Sequence, residues 1–229
     1  MHHTMQGVQI WGDSILKGVI WDDARKRYCI LRENAVALCK DVYAFPIENH
    51  ARMGCTVRWA LEDLQETAPK ELQNQWVLLE LGGNDCDFHW EQVAETPLEA
   101  HLPITPLPIY EQTLETMVGI IRKAGGMPVL ATLPPLDATR YLAWAAMCAG
   151  VDPARILTFL GDAQHMYRWQ EAYSLAAMRT ASRCGCMLLD LRAVFLAQKD
   201  PAALLCVDGI HPNAQAHQEM ARVIQSAIC

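Results

Sequence analysis

The chain has no run of lysine and arginine, and its formal net charge is -7. Nucleic acids and anionic membrane surfaces are met by basic patches, so neither is expected as a partner. No two of its cysteines form a Cys-x-x-Cys pair, which removes the usual zinc-ligand spacing. No stretch approaches the roughly 18 continuous apolar residues of a membrane span. The opening Met-His-His-Thr-Met-Gln leads straight into an apolar run, without the basic and long apolar regions of a signal peptide. Internal repeats, low-complexity segments and linkers are also lacking. These absences predict one soluble, cytoplasmic domain over residues 1–229, with no stable membrane association and no metal. The oligomeric state stays open.

What is present suits a folded α/β domain. Of 229 residues, 52% are hydrophobic and 20% charged, enough to bury a core without disorder. Nine cysteines stand singly except for Cys184-Gly-Cys186. In a domain of this size they read as buried free thiols of a reducing compartment rather than as a disulfide framework. Short apolar runs alternate with amphipathic stretches, the pattern of βα units around a parallel sheet. Strands are predicted at Val8–Trp11, Val42–Phe45, Trp76–Leu81, Pro128–Leu133 and Met187–Leu191. Thr105-Pro106 and Asp152-Pro153 both read as a cap followed by proline at the first helical position. Tyr110, Leu114, Met117 and Ile121 form one helical stripe, stopped by Gly125-Gly126. Ala216, Met220, Val223 and Ile224 form the last. Residues 86–107 and 134–184 exceed a minimal βα unit. The first predicts a loop over one end of the sheet, the second two helices separated at Gly150.

Four segments carry chemistry by where they fall. Gly12-Asp13-Ser14-Ile15 follows the first strand, Gly54 the second, and Gly82-Gly83-Asn84-Asp85 the third. Asp208-Gly209-Ile210-His211 precedes the last helix. Ligands bind beyond the carboxyl ends of strands in an open parallel sheet, so segments distant in sequence can converge there. A serine hydroxyl becomes a nucleophile once a base takes its proton. His211 suits that task for Ser14, and Asp208 can fold back to fix its tautomer and stabilise the imidazolium. Pro212 disfavours helical geometry at His211. Acyl transfer also needs donors for a developing oxyanion. Asn84 offers a side-chain amide, and Gly54 and Ser14 offer backbone N–H groups. The first βα turn has neither GxGxxG nor GxxxxGK[ST], which argues against a flavin or nucleotide cofactor.

GDSI, the lone Gly54, GGND and DGIHPN together resemble the four ordered blocks of SGNH hydrolases, the GDSL-type serine esterases and lipases. They span Gly12 to Asn213. The resemblance implies Ser14, Gly54, Asn84 and His211 as signature residues, with Asp208 completing a triad. It also implies a flavodoxin-like three-layer α/β/α fold, with five parallel strands in the order 2-1-3-4-5. The expected activity is hydrolysis of a small-molecule carboxylic ester, such as an acetylated sugar. A lysophospholipase or thioesterase of the same fold is the alternative, and a non-catalytic binding protein a further one.

Other residues invite functional readings with plain competitors. Ser14 alone reads as a helix cap, while Asn84 and Asp208-Gly209 alone read as turns. Asp13 reads as structural. Asp85, Asp87 and His89 lack a known metal spacing, His2 and His3 look terminal, and His217 reads as a surface residue. Tyr141, Trp144, Tyr167, Trp169 and Tyr173 read as core at helical spacing. Arg140, Arg168 and His165 could bind a polar substrate group, or be engaged with Asp162 or Glu171.

Overall fold

In a computed structural model, the apolar runs and amphipathic stretches become alternating strands and helices. It describes residues 5–40, 42–43 and 45–228, with the side chains of all of these except 68–71 and 228. His2 and His3 therefore lie outside the described residues. In chain order the elements are β1 (Gly7–Gly12), α1 (Ser14–Lys17), β2 (Val19–Asp22), β3 (Arg27–Ile30), α2 (Ala35–Lys40), β4 (Ile47–Asn49), α3 (Val57–Glu71) and β5 (Gln75–Glu80). There follow α4 (Trp90–Glu95), α5 (Leu107–Lys123), β6 (Met127–Ala131), α6 (Ala138–Ala149), α7 (Pro153–Leu160), α8 (Gln164–Cys184), β7 (Met187–Leu189), α9 (Arg192–Leu196) and α10 (Ala214–Ile228).

Among the described residues, five strands form a parallel sheet in the order β4-β1-β5-β6-β7. This is the predicted order 2-1-3-4-5. Strand alternation sends successive side chains to opposite faces. Val8, Ile10, Leu78 and Val129 pack with Val36 of α2, Phe195 of α9 and Met220 and Ile224 of α10. Trp11, Val77, Leu79 and Leu130 pack on the other face with Leu64 of α3, Leu114 and Met117 of α5 and Tyr173 of α8. Each fully buried aliphatic side chain on these faces contributes roughly 1.5–3 kcal/mol. A third cluster joins Trp90 and Val93 of α4 to Leu142 of α6, Ile156 and Leu160 of α7 and Met166 of α8. It caps one end of the sheet. No helix of the described residues is long and apolar enough to cross a membrane.

Four local expectations are corrected. The second strand is Ile47–Asn49, not Val42–Phe45, a range in which Ala44 lies outside the described residues. The N–H groups of Val42 and Tyr43 donate back to Cys39 O at the end of α2. Tyr43 and Phe45 stack on each other, and the Tyr43 hydroxyl donates to the carbonyl of Gln225 on α10 at 2.9 Å. Strand pairing begins only past Pro46, at Val8 opposite Ile47. The second correction is an addition: β2 and β3 form an antiparallel hairpin, with its turn tied by the Asp22 carboxylate to the N–H groups of Ala24 and Arg25. Third, residues 134–184 hold three helices, because Asp152 and Pro153 start α7 and Gly161 ends it. The 86–107 loop likewise contains α4. Fourth, Pro106 is extended and α5 starts after it. Thr105 is buried instead, donating its N–H to Asp85 O and accepting the Tyr173 hydroxyl at 2.5 Å.

The described cysteines are less uniformly buried than expected. Cys55 and Cys86 are buried free thiols, Cys29, Cys184, Cys186 and Cys206 are half-buried, and Cys148 is exposed.

Candidate active site

The turn after β1 sets the geometry of Ser14. Asp13, rather than Ser14, is the cap of α1: its backbone is extended and its carboxylate accepts the Ile15 N–H at 2.8 Å. Ser14 becomes the first helical residue, only 8% exposed, with its N–H at the positive end of a short helix. Gly12 keeps this turn close to β5, since a Cβ there would meet the Glu80 carbonyl at 3.2 Å.

The Asp208–His211 turn closes on Ser14 from the other end of the chain. His211 Nε2 lies 2.9 Å from Ser14 Oγ, and Nδ1 lies 2.6 Å from Asp208 Oδ2. The other oxygen of Asp208 accepts the N–H groups of Ile210 and His211 at 3.0 and 3.1 Å. Burial alone would raise the Asp208 carboxyl. The His211 hydrogen bond and charge, with the two backbone donors, outweigh burial and hold it below its ordinary range. An ionised Asp208 requires the proton of a neutral His211 on Nδ1, which leaves Nε2 to accept from Ser14. One contact was missed from the sequence: the Tyr28 hydroxyl donates to Asp208 Oδ2 at 3.0 Å.

Asn84 is held in place by two acceptors, donating from Nδ2 to Asp13 Oδ2 at 3.2 Å and to Cys55 O at 3.1 Å. Gly54 sits at φ +75° beside open space. Ser14, Gly54, Asn84 and His211 line one open groove, with Tyr28, Tyr141 and Trp144 among its walls. The structure thus brings together every residue that the sequence nominated for the triad and oxyanion hole. A second cavity, of about 100 Å³, opens beside Ser14, Asn84 and His211 and runs inward between Trp90, Leu133, Leu160, Met166 and Trp169.

The sequence also overlooked a buried carboxyl pair. Glu80, at the end of β5, is fully buried beside Asp13, and both line the inner cavity. Burial pushes the Asp13 carboxyl up to about 6, against the pull of the Ile15 N–H and of His211. Burial and the neighbouring Asp13 push Glu80 well above the usual carboxylate range. The available signal was a charged residue closing an otherwise apolar strand, Trp76–Leu81.

The remaining nominated residues go elsewhere. Asp85 accepts the Val57 N–H at 3.1 Å, tying the GGND loop to the start of α3. Asp87 accepts the Trp90 indole N–H at 2.8 Å, and His89 flanks α4. Among the described residues no three potential ligands converge on a metal site. The aromatic cluster divides rather than joining the core as a group. Tyr141, Trp144 and Trp169 line the two cavities, Tyr173 is core, and Tyr167 lies under Arg192. His165 lines the inner cavity beside Trp169. Arg168 pairs with Asp162 at 2.9 Å and Arg140 with Asp137 at 3.3 Å, while Glu171 faces Arg192. His217 is fully buried, not a surface residue. Its Nδ1 accepts the Ala35 N–H at 3.4 Å, and burial depresses its pKa to about 4.

Residues 10–219 match the model of the GDSL-like lipase/acylhydrolase family. The chain belongs to this family. Its GDSL-type fold recurs in solved structures at low sequence identity. One is the lipase/acylhydrolase from Enterococcus faecalis, at 18% identity and a TM-score of 0.65, covering 98% of this chain and 95% of the other. Another is LAE5, an alpha/beta hydrolase from the metagenome of Lake Arreo, at 23% and 0.66, covering 100% and 98%. A third is Axe2, an acetylxylan esterase from Geobacillus stearothermophilus, at 22% and 0.65, covering 100% and 96%. No curated protein matches the chain. As a GDSL-family member it is an ester hydrolase.

Proposed function

We propose that the protein hydrolyses carboxylic esters through an acyl-enzyme on Ser14. The observation that carries this reading is the unbroken chain of short hydrogen bonds from Ser14 through His211 to Asp208. His211 Nε2 takes the Ser14 proton as Oγ attacks the ester carbon, and Asp208 stabilises the imidazolium. The oxyanion of the tetrahedral intermediate is met by the N–H groups of Ser14 and Gly54 and by Asn84. Collapse expels the alcohol, which leaves with the proton from His211. Water, activated by the same imidazole, then attacks the acyl-enzyme, releasing the acid and restoring Ser14.

We assign the acyl group to a small class, acetyl or short-chain, with the alcohol a compact polar or carbohydrate group. Two things support this: the limited inner cavity beside Ser14 and the aromatic wall of Tyr28, Tyr141 and Trp144 along the open groove, a surface that suits an alcohol with an apolar face. Axe2, an acetylxylan esterase, has a comparable fold. A second reading, a lysophospholipase or thioesterase, draws on the apolar character of Leu133, Leu160, Met166 and Trp169 in that cavity.

Hydrolysis of p-nitrophenyl acetate, butyrate and octanoate by wild type and Ser14→Ala tests both levels. We expect turnover to fall steeply from acetate to octanoate, and to vanish in the variant. Wild-type turnover in Ser14→Ala would overturn the nucleophile. A preference for octanoate would favour the second reading.

A further inference from the structure

We propose that Tyr28 is a positioning residue of the reaction, its hydroxyl holding the Asp208 carboxylate in line with His211. The proposal rests on the triad reading above.

Asp208 Oδ2 accepts two hydrogen bonds, from His211 Nδ1 at 2.6 Å and from the Tyr28 hydroxyl at 3.0 Å. Oδ1 accepts the N–H groups of Ile210 and His211. The two backbone donors come from the same short turn as Asp208, so they fix one oxygen relative to that turn. Tyr28 is different: it lies 180 residues away in sequence, on β3, and ties the second oxygen to a separate element. Its ring is itself braced. It packs edge-on against Trp21, its partner across the hairpin, with centroids 5.2 Å apart. Trp144 of α6 lies 6.1 Å away, and His211 5.0 Å. A donor held this firmly limits rotation of the carboxylate about its own side chain. Burial and the Asp208 charge push the Tyr28 hydroxyl far above its ordinary range, so it donates at every pH of interest.

The hydroxyl also shares the charge that Asp208 offers to the imidazolium. Removing it concentrates that charge on Nδ1–H and leaves the carboxylate freer to turn. The first effect keeps the base protonated to higher pH, and the second lowers the fraction of aligned triads. Other titratable groups also sense this site: Asp13 from the cap of α1, Cys148 from α6, Cys206 ahead of the turn and His217 from α10. Tyr28→Phe leaves these residues in place and keeps the ring; besides the bond to Asp208 it removes the hydroxyl's interactions with Trp144 and Cys148.

The test is the pH profile of kcat and kcat/KM for Tyr28→Phe on the best p-nitrophenyl ester, with Ser14→Ala as control. The proton between His211 Nδ1 and Asp208 is followed in parallel by its downfield NMR signal. We expect the plateau kcat to fall about tenfold, the scale of one hydrogen bond to a charged group. KM should change little. The acid limb should move to higher pH, and the downfield signal should shift. A wild-type profile and signal in Tyr28→Phe, with Ser14→Ala inactive, would overturn the role of Tyr28 alone. A lower kcat with an unmoved acid limb and signal would reduce Tyr28 to a wall of the groove, and also overturn it. Full activity in Ser14→Ala would instead remove the triad reading, and this proposal with it.

Discussion

Asn84 shows how much of the site depends on one side chain's neighbours. Its amide is suspended between a carboxylate oxygen of Asp13 and the carbonyl of Cys55, which together engage both of its N–H groups. One of them therefore turns from its protein acceptor to the oxyanion as charge develops, while the other keeps the amide in place. Gly83 makes the arrangement possible, because a Cβ there would stand 3.0 Å from Asp13 Oδ2 and displace the acceptor. Replacing Asn84 by Ala removes the donor and leaves Asp13 with one partner fewer. We expect kcat to drop roughly 10²–10³-fold, the loss typical of one oxyanion donor, with KM nearly unchanged. Steady-state kinetics at matched folding, checked by thermal melting, decide the matter. A kcat within twofold of wild type would take Asn84 out of the oxyanion hole. Asn84, Ser14, Asp208 and His211 were all legible in the sequence because each sits in a short motif at an element boundary. Glu80 and Tyr28 were not. Neither belongs to a motif, and each gains its role only from what the fold lays beside it.

At the scale of elements, motif-rich boundaries were read better than weak strands. The apolar stretch before Pro46 looked like the second strand, yet Val42 and Tyr43 bond back to the end of α2, and the true strand, Ile-Glu-Asn, is short and polar. An edge strand with one neighbour needs no continuous apolar run, so periodicity had little to detect. The hairpin of β2 and β3 escaped for a related reason: two four-residue strands joined without an Asn-Gly or Asp-Gly turn give a faint signal. The walls of the inner cavity come from elements whose number, not whose existence, was misjudged. Leu160 ends α7, Met166 and Trp169 lie in the first turns of α8, and Trp90 begins α4. If this cavity receives the acyl group, its depth is set by those helix ends. Trp169→Ala should deepen it. We expect the octanoate-to-acetate ratio of kcat/KM to rise about tenfold, in line with the 1–3 kcal/mol that a hydrophobic pocket gains or loses per methylene. An unchanged ratio would place the acyl group in the open groove instead.

Across the whole molecule, buried titratable groups pull stability in opposite directions with pH. His217 is packed on α10 against α2, and its folded pKa is depressed to about 4. Between there and the ordinary histidine value of about 6.5, the unfolded chain binds a proton that the folded chain refuses. Stability contributed by the neutral ring is therefore present above that window and lost as pH falls through it. Glu80 behaves in the reverse sense, because its folded pKa is raised. The folded chain keeps its proton after the unfolded chain has released it, so stability falls as pH rises above the usual carboxylate range. Asp13 and Asp85, each raised to about 6 by burial, add to that slope between about 4 and 6. Two substitutions separate the trends. His217→Asn keeps an acceptor for the Ala35 N–H but cannot take up a proton. Its deficit relative to wild type should shrink, by up to about 3 kcal/mol, as pH drops from 6.5 to 4. Glu80→Gln keeps the shape of a neutral carboxyl and should gain on wild type as pH rises from 4.5 to 8. Urea unfolding at several pH values measures both differences. Curves for the two variants that run parallel to wild type would mean that neither group changes protonation on unfolding. The buried carboxyl beneath Ser14 would then be ionised in the folded protein, with its charge met by the N–H groups of Asp13 and Leu16 that it faces.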